Sequence, residues 1–261
     1  MNYLENKCSR VRKNIMEMAL LNNGGHLGGA LSLVEIMVVI YEKISKINSK
    51  NYKSKSRDRI IFSKGHGCLV LYSILYERKI LSKKTLQSFS KSNSILGGHP
   101  EHFVPGVEAS TGSLGHGLPI SVGLALSAKL KKEKFKTIVI VGDGELNEGS
   151  NWEAMMMAAK YKLNNLLLIV DYNKIQSYGF AKNILDLEPL KDKIKSFGFF
   201  TQEVDGHSLD KIEKKIRYCL KNKSKPSALI CHTIKGKGIK VAENNPDWHY
   251  VKNLNQNLKK N

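Results

Sequence analysis

A chain of 261 residues, 41% of them hydrophobic, is long enough to bury the core of one large or two small domains, which excludes a disordered protein. It carries 42 Lys and Arg against 23 Asp and Glu, a net charge of +19, but the lysines are spread through runs such as "KLKKEKFK" (129–136) and "KKIRYCLKNKSK" (214–225). Without aromatic interleaving these read as solvated helix faces and loops, not as a nucleic-acid surface, although they would attract phosphorylated substrates. No apolar stretch approaches the ~20 residues that span a bilayer, and the charged start is unlike a signal peptide, so a cytoplasmic protein with no membrane association is expected. Cys8, Cys68, Cys219 and Cys231 have neither a close CxxC pair nor a framework spacing, which argues against disulfides and a structural zinc site.

In chain order, helical spacing of apolar residues predicts helices over 4–22 and 32–46, the first ending at Asn-Asn-Gly-Gly (22–25). "RIIFS" (59–63) reads as a strand feeding a helix over about 66–78. The stretch 79–115, rich in Gly, Ser, His and Pro, is too long for a plain connector and is expected to be functional. A small-residue-rich helix follows over 116–132. Strands and helices then alternate: strand 137–142, helix about 147–161, strand 165–171, strand 199–205, helix about 208–222, strand 227–234. Strands this uniformly apolar are buried on both faces, so the expected fold class is α/β, a doubly wound, mainly parallel sheet with helices on both faces. One domain over 1–250 and a loose Asn/Lys-rich tail over 251–261 are expected.

Ligands of open α/β sheets bind beyond the carboxyl ends of strands, and "IVIVGDGELNEGSNWEA" (138–154) sits at such an end. Gly142 and Gly144 permit close backbone approach, and Asp143 lies at the sheet edge beside the start of a helix. Alone, GDG would be read as a capped strand-to-helix turn. The next strand runs to Asp171, and Asn173, thirty residues after Asp143, would project from an equivalent strand end. A carboxylate, an amide oxygen and a backbone carbonyl form the all-oxygen set that Mg²⁺ or Ca²⁺ prefers, and such a set suits a diphosphate bridged by the metal.

GDG followed at this distance by Asn resembles the thiamine diphosphate signature. "GGHLGGALSLVEI" (24–36), "RDRIIFSKGHG" (57–67), "LGGHPE" (96–101), "VPGVEASTGSLGHGL" (104–118) and "NPDWH" (245–249) are similar, in that order, to motifs of the transketolase N-terminal domain across about residues 10–250. The resemblance implies that Asp143, Asn173 and the carbonyl of Ile175 hold the metal, with Gly142 and Gly144 at the diphosphate turn. It implies that Gly112 and Leu114 line the cofactor, that His66 and His249 lie near the diphosphate, and that His26 and His99 face the sugar, with His249 counted beside these two as catalytic. Imidazole suits both tasks, since it donates to phosphate oxygens and exchanges protons with hydroxyls near neutral pH. Glu148 matches an acid that bridges neighbouring cofactor sites, whereas Glu145 has no evident role. His102, His207 and His232 read as hydrogen-bonded loop residues. Tyr250 follows His249 where family members commonly carry glycine, which implies either a narrower approach to that histidine or a differently placed loop.

Thiamine diphosphate also needs a carboxylate against its aminopyrimidine ring, which the resemblance assigns to a separate pyrimidine-binding domain, beyond the span matched here. The expectation is therefore an N-terminal subunit of a split transketolase, partnered by a second subunit with that domain, in two copies of each chain. Such an enzyme moves a two-carbon ketol unit from a ketose, phosphorylated in the expected case, to an aldose. The alternatives are the alpha subunit of a thiamine diphosphate-dependent 2-oxo-acid dehydrogenase, which is not expected to carry "SKGH", "GGHPE" and "GSLGHG" together, and a noncatalytic thiamine diphosphate-binding module.

Overall fold

Strands that are apolar along their whole length need cover on both faces, and the computed structural model, which describes residues 2–22 and 24–254, supplies it. The elements in order are α1 (Tyr3–Leu21), β1 (Gly24–Gly25), α2 (Leu27–Leu31), α3 (Val34–Val39), β2 (Arg59–Phe62), α4 (Cys68–Glu77), α5 (Lys83–Gln87) and α6 (Gly117–Leu130). After these come β3 (Thr137–Gly142), α7 (Gly149–Lys160), β4 (Leu166–Tyr172), α8 (Ala181–Ile184), α9 (Leu190–Ser196), β5 (Phe200–Asp205), α10 (Leu209–Lys221), β6 (Ser227–His232) and β7 (Val251–Lys252). Strands β2 to β6 form one five-stranded sheet, parallel throughout, in the order β2-β3-β4-β6-β5.

Successive residues of each strand enter opposite cores, as the two-residue repeat requires. Ile60, Phe62, Ile138, Ile140, Leu167 and Ile169 pack with α1, α3, α4 and α10, whereas Ile61, Val139, Val141, Leu168 and Val170 pack with α6, α7 and α9. Every residue of β3 and β4 is buried, so these central strands carry no solvent face. Each buried aliphatic side chain contributes roughly 1.5–3 kcal/mol relative to exposure. At the N-terminus of α1, Asn2 and Glu5 form a reciprocal capping box, Glu5 N–H donating to Asn2 Oδ1 at 3.0 Å and Asn2 N–H to Glu5 Oε2 at 2.8 Å.

Two expectations change. The helix expected over 32–46 is shorter and changes character along its length: α3 covers Val34–Val39 and a π turn follows over Ile40–Ile44, while Ser32, between α2 and α3, donates its hydroxyl to Gly29 O and Asp171 Oδ2. The first residues of the tail expected from residue 251 belong to the fold: β7 pairs antiparallel with β1, Gly24 opposite Lys252 and Gly25 opposite Val251, and Leu254 is buried. Residues 255–261 of that tail lie outside the described residues. Gly24 is needed in this ladder, since its φ is +155° and a Cβ there would lie 2.2 Å from Val251 O. Among the described residues, no helix is long and apolar enough to cross a membrane.

Candidate active site

The carboxyl ends of β2, β3, β4 and β6 meet at one place, and the turns leaving them carry the polar residues. Asp143, next after β3, is buried and accepts from Gly144 N–H at 2.7 Å and from Lys174 N–H. Burial pushes its carboxyl up to about 6, against the pull of the Lys64 ammonium. Gly142 pairs with Asp171 across β3 and β4, so the turn leaving β4 places Asn173 beside Asp143. Asn173 Oδ1 accepts from Ile175 N–H at 3.1 Å, and its amide donates to Asp171 Oδ2 at 3.2 Å. The Ile175 carbonyl accepts from Lys235 Nζ at 2.8 Å and keeps a second lone pair. These groups line one cavity of about 70 Å³ together with His66, Leu114, Gly142, Gly144, His249, Lys64 and Lys235. A larger groove of about 750 Å³ beside it shares Asn173 and Ile175 but has neither the buried lysines nor the histidine cluster, so chemistry rather than size marks the smaller cavity.

Two cations buried in this cavity were hidden among the 42 basic residues of the sequence. Lys64 Nζ pairs with Asp171 Oδ2 at 2.5 Å and reaches Gly29 O at 3.3 Å. Burial alone would raise the Asp171 carboxyl, but the Lys64 ammonium and the Ser32 and Thr233 hydroxyls that donate to it outweigh burial and hold it low. Lys235 is buried and contacts Ile175 O and His249 Nδ1, each at 2.8 Å, while burial and the nearby Lys64 lower its ammonium to about 7. The signal in the sequence was position: both lysines stand directly after strand ends, in "SKGH" and "TIKGKG", where a solvated face is not expected.

Four histidines from distant segments cluster. His26 lies 5.4 Å from His66, 6.3 Å from His99 and 5.4 Å from His249 between ring centroids, and His66 lies 5.3 Å from His249. Burial lowers His26 to about 4, His249 to about 3 and His66 well below its ordinary value, with the neighbouring lysines and histidines adding to it. At neutral pH these three imidazoles are therefore uncharged, able to donate at one nitrogen and accept at the other. His102, His207 and His232 stand apart and bond to Ser110, Glu35 and Glu203 respectively.

Glu145, without a role in the sequence reading, ties the site walls together. Its buried carboxylate accepts from Ser63 Oγ after β2, from Gly115 N–H at 3.1 Å and from Gly142 N–H at 3.2 Å, so one side chain joins three cavity-lining segments. Burial raises its carboxyl even so. Gly112 has φ +148° and lies under His99, where a Cβ would meet the ring at 2.7 Å. Glu148 is exposed at the start of α7 and does not line the cavity.

The residues present fit a metal-bridged diphosphate. The donor set holds only hard oxygens, one carboxylate, one amide and one backbone carbonyl, and among the described residues no three His, Cys, Asp or Glu side chains converge as a metal site. Gln176 Nε2, at the same cavity, is buried without a hydrogen-bond partner and can donate to a phosphate oxygen, while Lys64 and Lys235 supply positive charge. Fold and site thus define an α/β domain whose residues fit a diphosphate cofactor held through a divalent cation. Residues 5–259 match the family model of the transketolase thiamine diphosphate binding domain. An apulose-4-phosphate transketolase subunit from Actinobacillus succinogenes is 43% identical over 95% of this chain and 90% of its own length. A 6-deoxy-6-sulfo-D-fructose transketolase subunit from Clostridium sp. is 35% identical over 95% of this chain and 91% of its own length. Among solved structures, the transketolase of Campylobacter jejuni superposes with a TM-score of 0.92 at 32% identity, covering 100% of this chain and 42% of that one. The chain belongs to the transketolase family.

Proposed function

We propose that this chain is the diphosphate-binding subunit of a two-chain transketolase, transferring a two-carbon ketol unit from a phosphorylated ketose to an aldose. The observation that carries this is the convergence, in one small cavity, of an all-oxygen ligand set, two buried lysines and two histidines, His66 and His249, with His26 and His99 clustered next to them. Asp143, Asn173 and the Ile175 carbonyl hold Mg²⁺ or Ca²⁺; Gly144 N–H, His66, His249 and the two lysines hold the diphosphate. Bound thiamine diphosphate supplies the carbon nucleophile and electron sink for the transferred unit. His26 and His99 orient the sugar hydroxyls, and His26, uncharged at neutral pH, takes a proton from a hydroxyl oxygen and returns it. Gly112 and Leu114 form the wall behind the cofactor, and Glu148, exposed at the start of α7, faces the neighbouring site of the assembled enzyme.

Two similar relatives of nearly the same length are themselves named as subunits of apulose-4-phosphate transketolases, which supports a second chain here, one that supplies the pyrimidine-binding domain and its activating carboxylate. Two copies of each chain assemble in the cytoplasm, the positive charge of this chain drawing in sugar phosphates rather than nucleic acid. Mixing the purified chains with thiamine diphosphate, Mg²⁺ and a five-carbon ketose phosphate tests this. Transfer is expected only from the mixture; full transfer by this chain alone, or none from a mixture that binds the cofactor, would overturn it.

A further inference from the structure

The segment that follows His249 brings an aromatic ring to the histidine cluster. Pairing of β1 with β7 sets the backbone on either side, Gly25 opposite Val251, and places the Tyr250 ring 4.7 Å from that of His26 at an interplanar angle of 66°. Gly24 leaves no space for a side chain against the carbonyl oxygen of Val251, the residue next after Tyr250. Neither Tyr250 nor His26 lines the cavity around Asp143, so the ring lies outside the pocket of the diphosphate groups. Tyr250 remains 49% exposed, and its ring partner His26 is also the neighbour of His99 at 6.3 Å between ring centroids.

We propose that Tyr250 is a specificity-determining residue, a wall against which the carbon chain of the ketose packs and which limits its bulk; this rests on the transketolase reading. An aromatic face suits the apolar C–H side of a sugar, and a fixed wall discriminates by size, with each methylene-sized difference worth about 10- to 200-fold. A small donor gains contact with the ring, whereas a larger one meets it. Removing the ring thus weakens binding of the small donor and makes room for the large one, and its effect falls on KM more than on kcat.

The test uses the two-chain holoenzyme with saturating thiamine diphosphate, comparing native protein with Tyr250→Ala and Tyr250→Phe on a five-carbon and a seven-carbon ketose phosphate. Tyr250→Ala is expected to shift the ratio of kcat/KM toward the seven-carbon donor by about tenfold or more, within the range for one pocket wall. Tyr250→Phe keeps the native ratio, and both variants keep native cofactor affinity. A ratio within about twofold of native in Tyr250→Ala, measured on an active enzyme, overturns the proposal alone. Absence of transfer by the native pair overturns the transketolase reading and this inference with it.

Discussion

Lys64 and Asp171 form an ion pair with almost no access to water, their side chains 4% and 0% exposed. Removing one partner of such a pair leaves an uncompensated buried charge, which typically costs about 3–5 kcal/mol. Lys64→Met should therefore lower the thermal midpoint markedly, by roughly 6–20 °C for a chain of this size, and weaken thiamine diphosphate binding as well. Differential scanning calorimetry with a cofactor titration checks both, and an unchanged midpoint would remove Lys64 from the account. Glu145 makes a related case at the same scale. Glu145→Ala strips the acceptor from Ser63, Gly115 and Gly142 together, and a buried donor left unpaired costs about 1–3 kcal/mol. Loss of stability together with weaker cofactor binding is expected, and chemical unfolding monitored by circular dichroism reads the first. Little of either residue's task is legible in the sequence: a lysine among 42 basic residues and a glutamate in an acidic turn carry no periodicity, and beyond the place of Lys64 after a strand end, what distinguishes them is burial and partners, which only the fold provides.

Elements were more legible than residues, for a physical reason. Strands β3 and β4 are covered on both faces and so are apolar over most of their length, and helices α6, α7 and α10 are long enough to show as runs between strands, so all five lie close to their expected bounds. The π turn at Ile40–Ile44 and helix α9 did not stand out. Helix α9, "LKDKIKS", buries only Leu190 and Ile194, too little for a pattern to show. The two-residue strands β1 and β7 were invisible because their pairing joins residues more than two hundred positions apart. They nonetheless hold the segment carrying His249 and Tyr250 against the segment carrying His26. Gly24→Val would force a Cβ into Val251 O, so this variant should lose cofactor affinity and transfer rate more than global stability. Equal retention of both would show that the ladder does not position the histidines.

For the whole molecule, acid should be destabilising. His26, His66 and His249 are held uncharged in the fold below their ordinary value of 6.5, whereas the unfolded chain protonates them near that pH. Between about pH 6.5 and 4 the unfolded state thus binds more protons at these sites, and stability falls as pH falls, by at most about 1.4 kcal/mol per pH unit for each histidine. Asp143, raised to about 6, takes up a proton in the fold over the same range and offsets one of the three. Urea unfolding at about pH 7.5 and about pH 5.5 should show the net loss, and His249→Asn should flatten it. The charge of +19, conspicuous in the sequence, acts mainly outside the site and adds a salt-sensitive attraction for anions.

The central claim is that Asp143, Asn173 and the Ile175 carbonyl join a divalent cation to the diphosphate of the cofactor. Calorimetric titration of thiamine diphosphate into the assembled two-chain protein, with Mg²⁺ and with a chelator, tests it most directly when repeated on Asp143→Ala and Asn173→Ala. Native protein should bind tightly only with the metal, and each variant should lose at least about tenfold in affinity while keeping its fold, since each lacks a hard oxygen ligand. Metal-dependent binding of native strength in both variants would contradict the assignment.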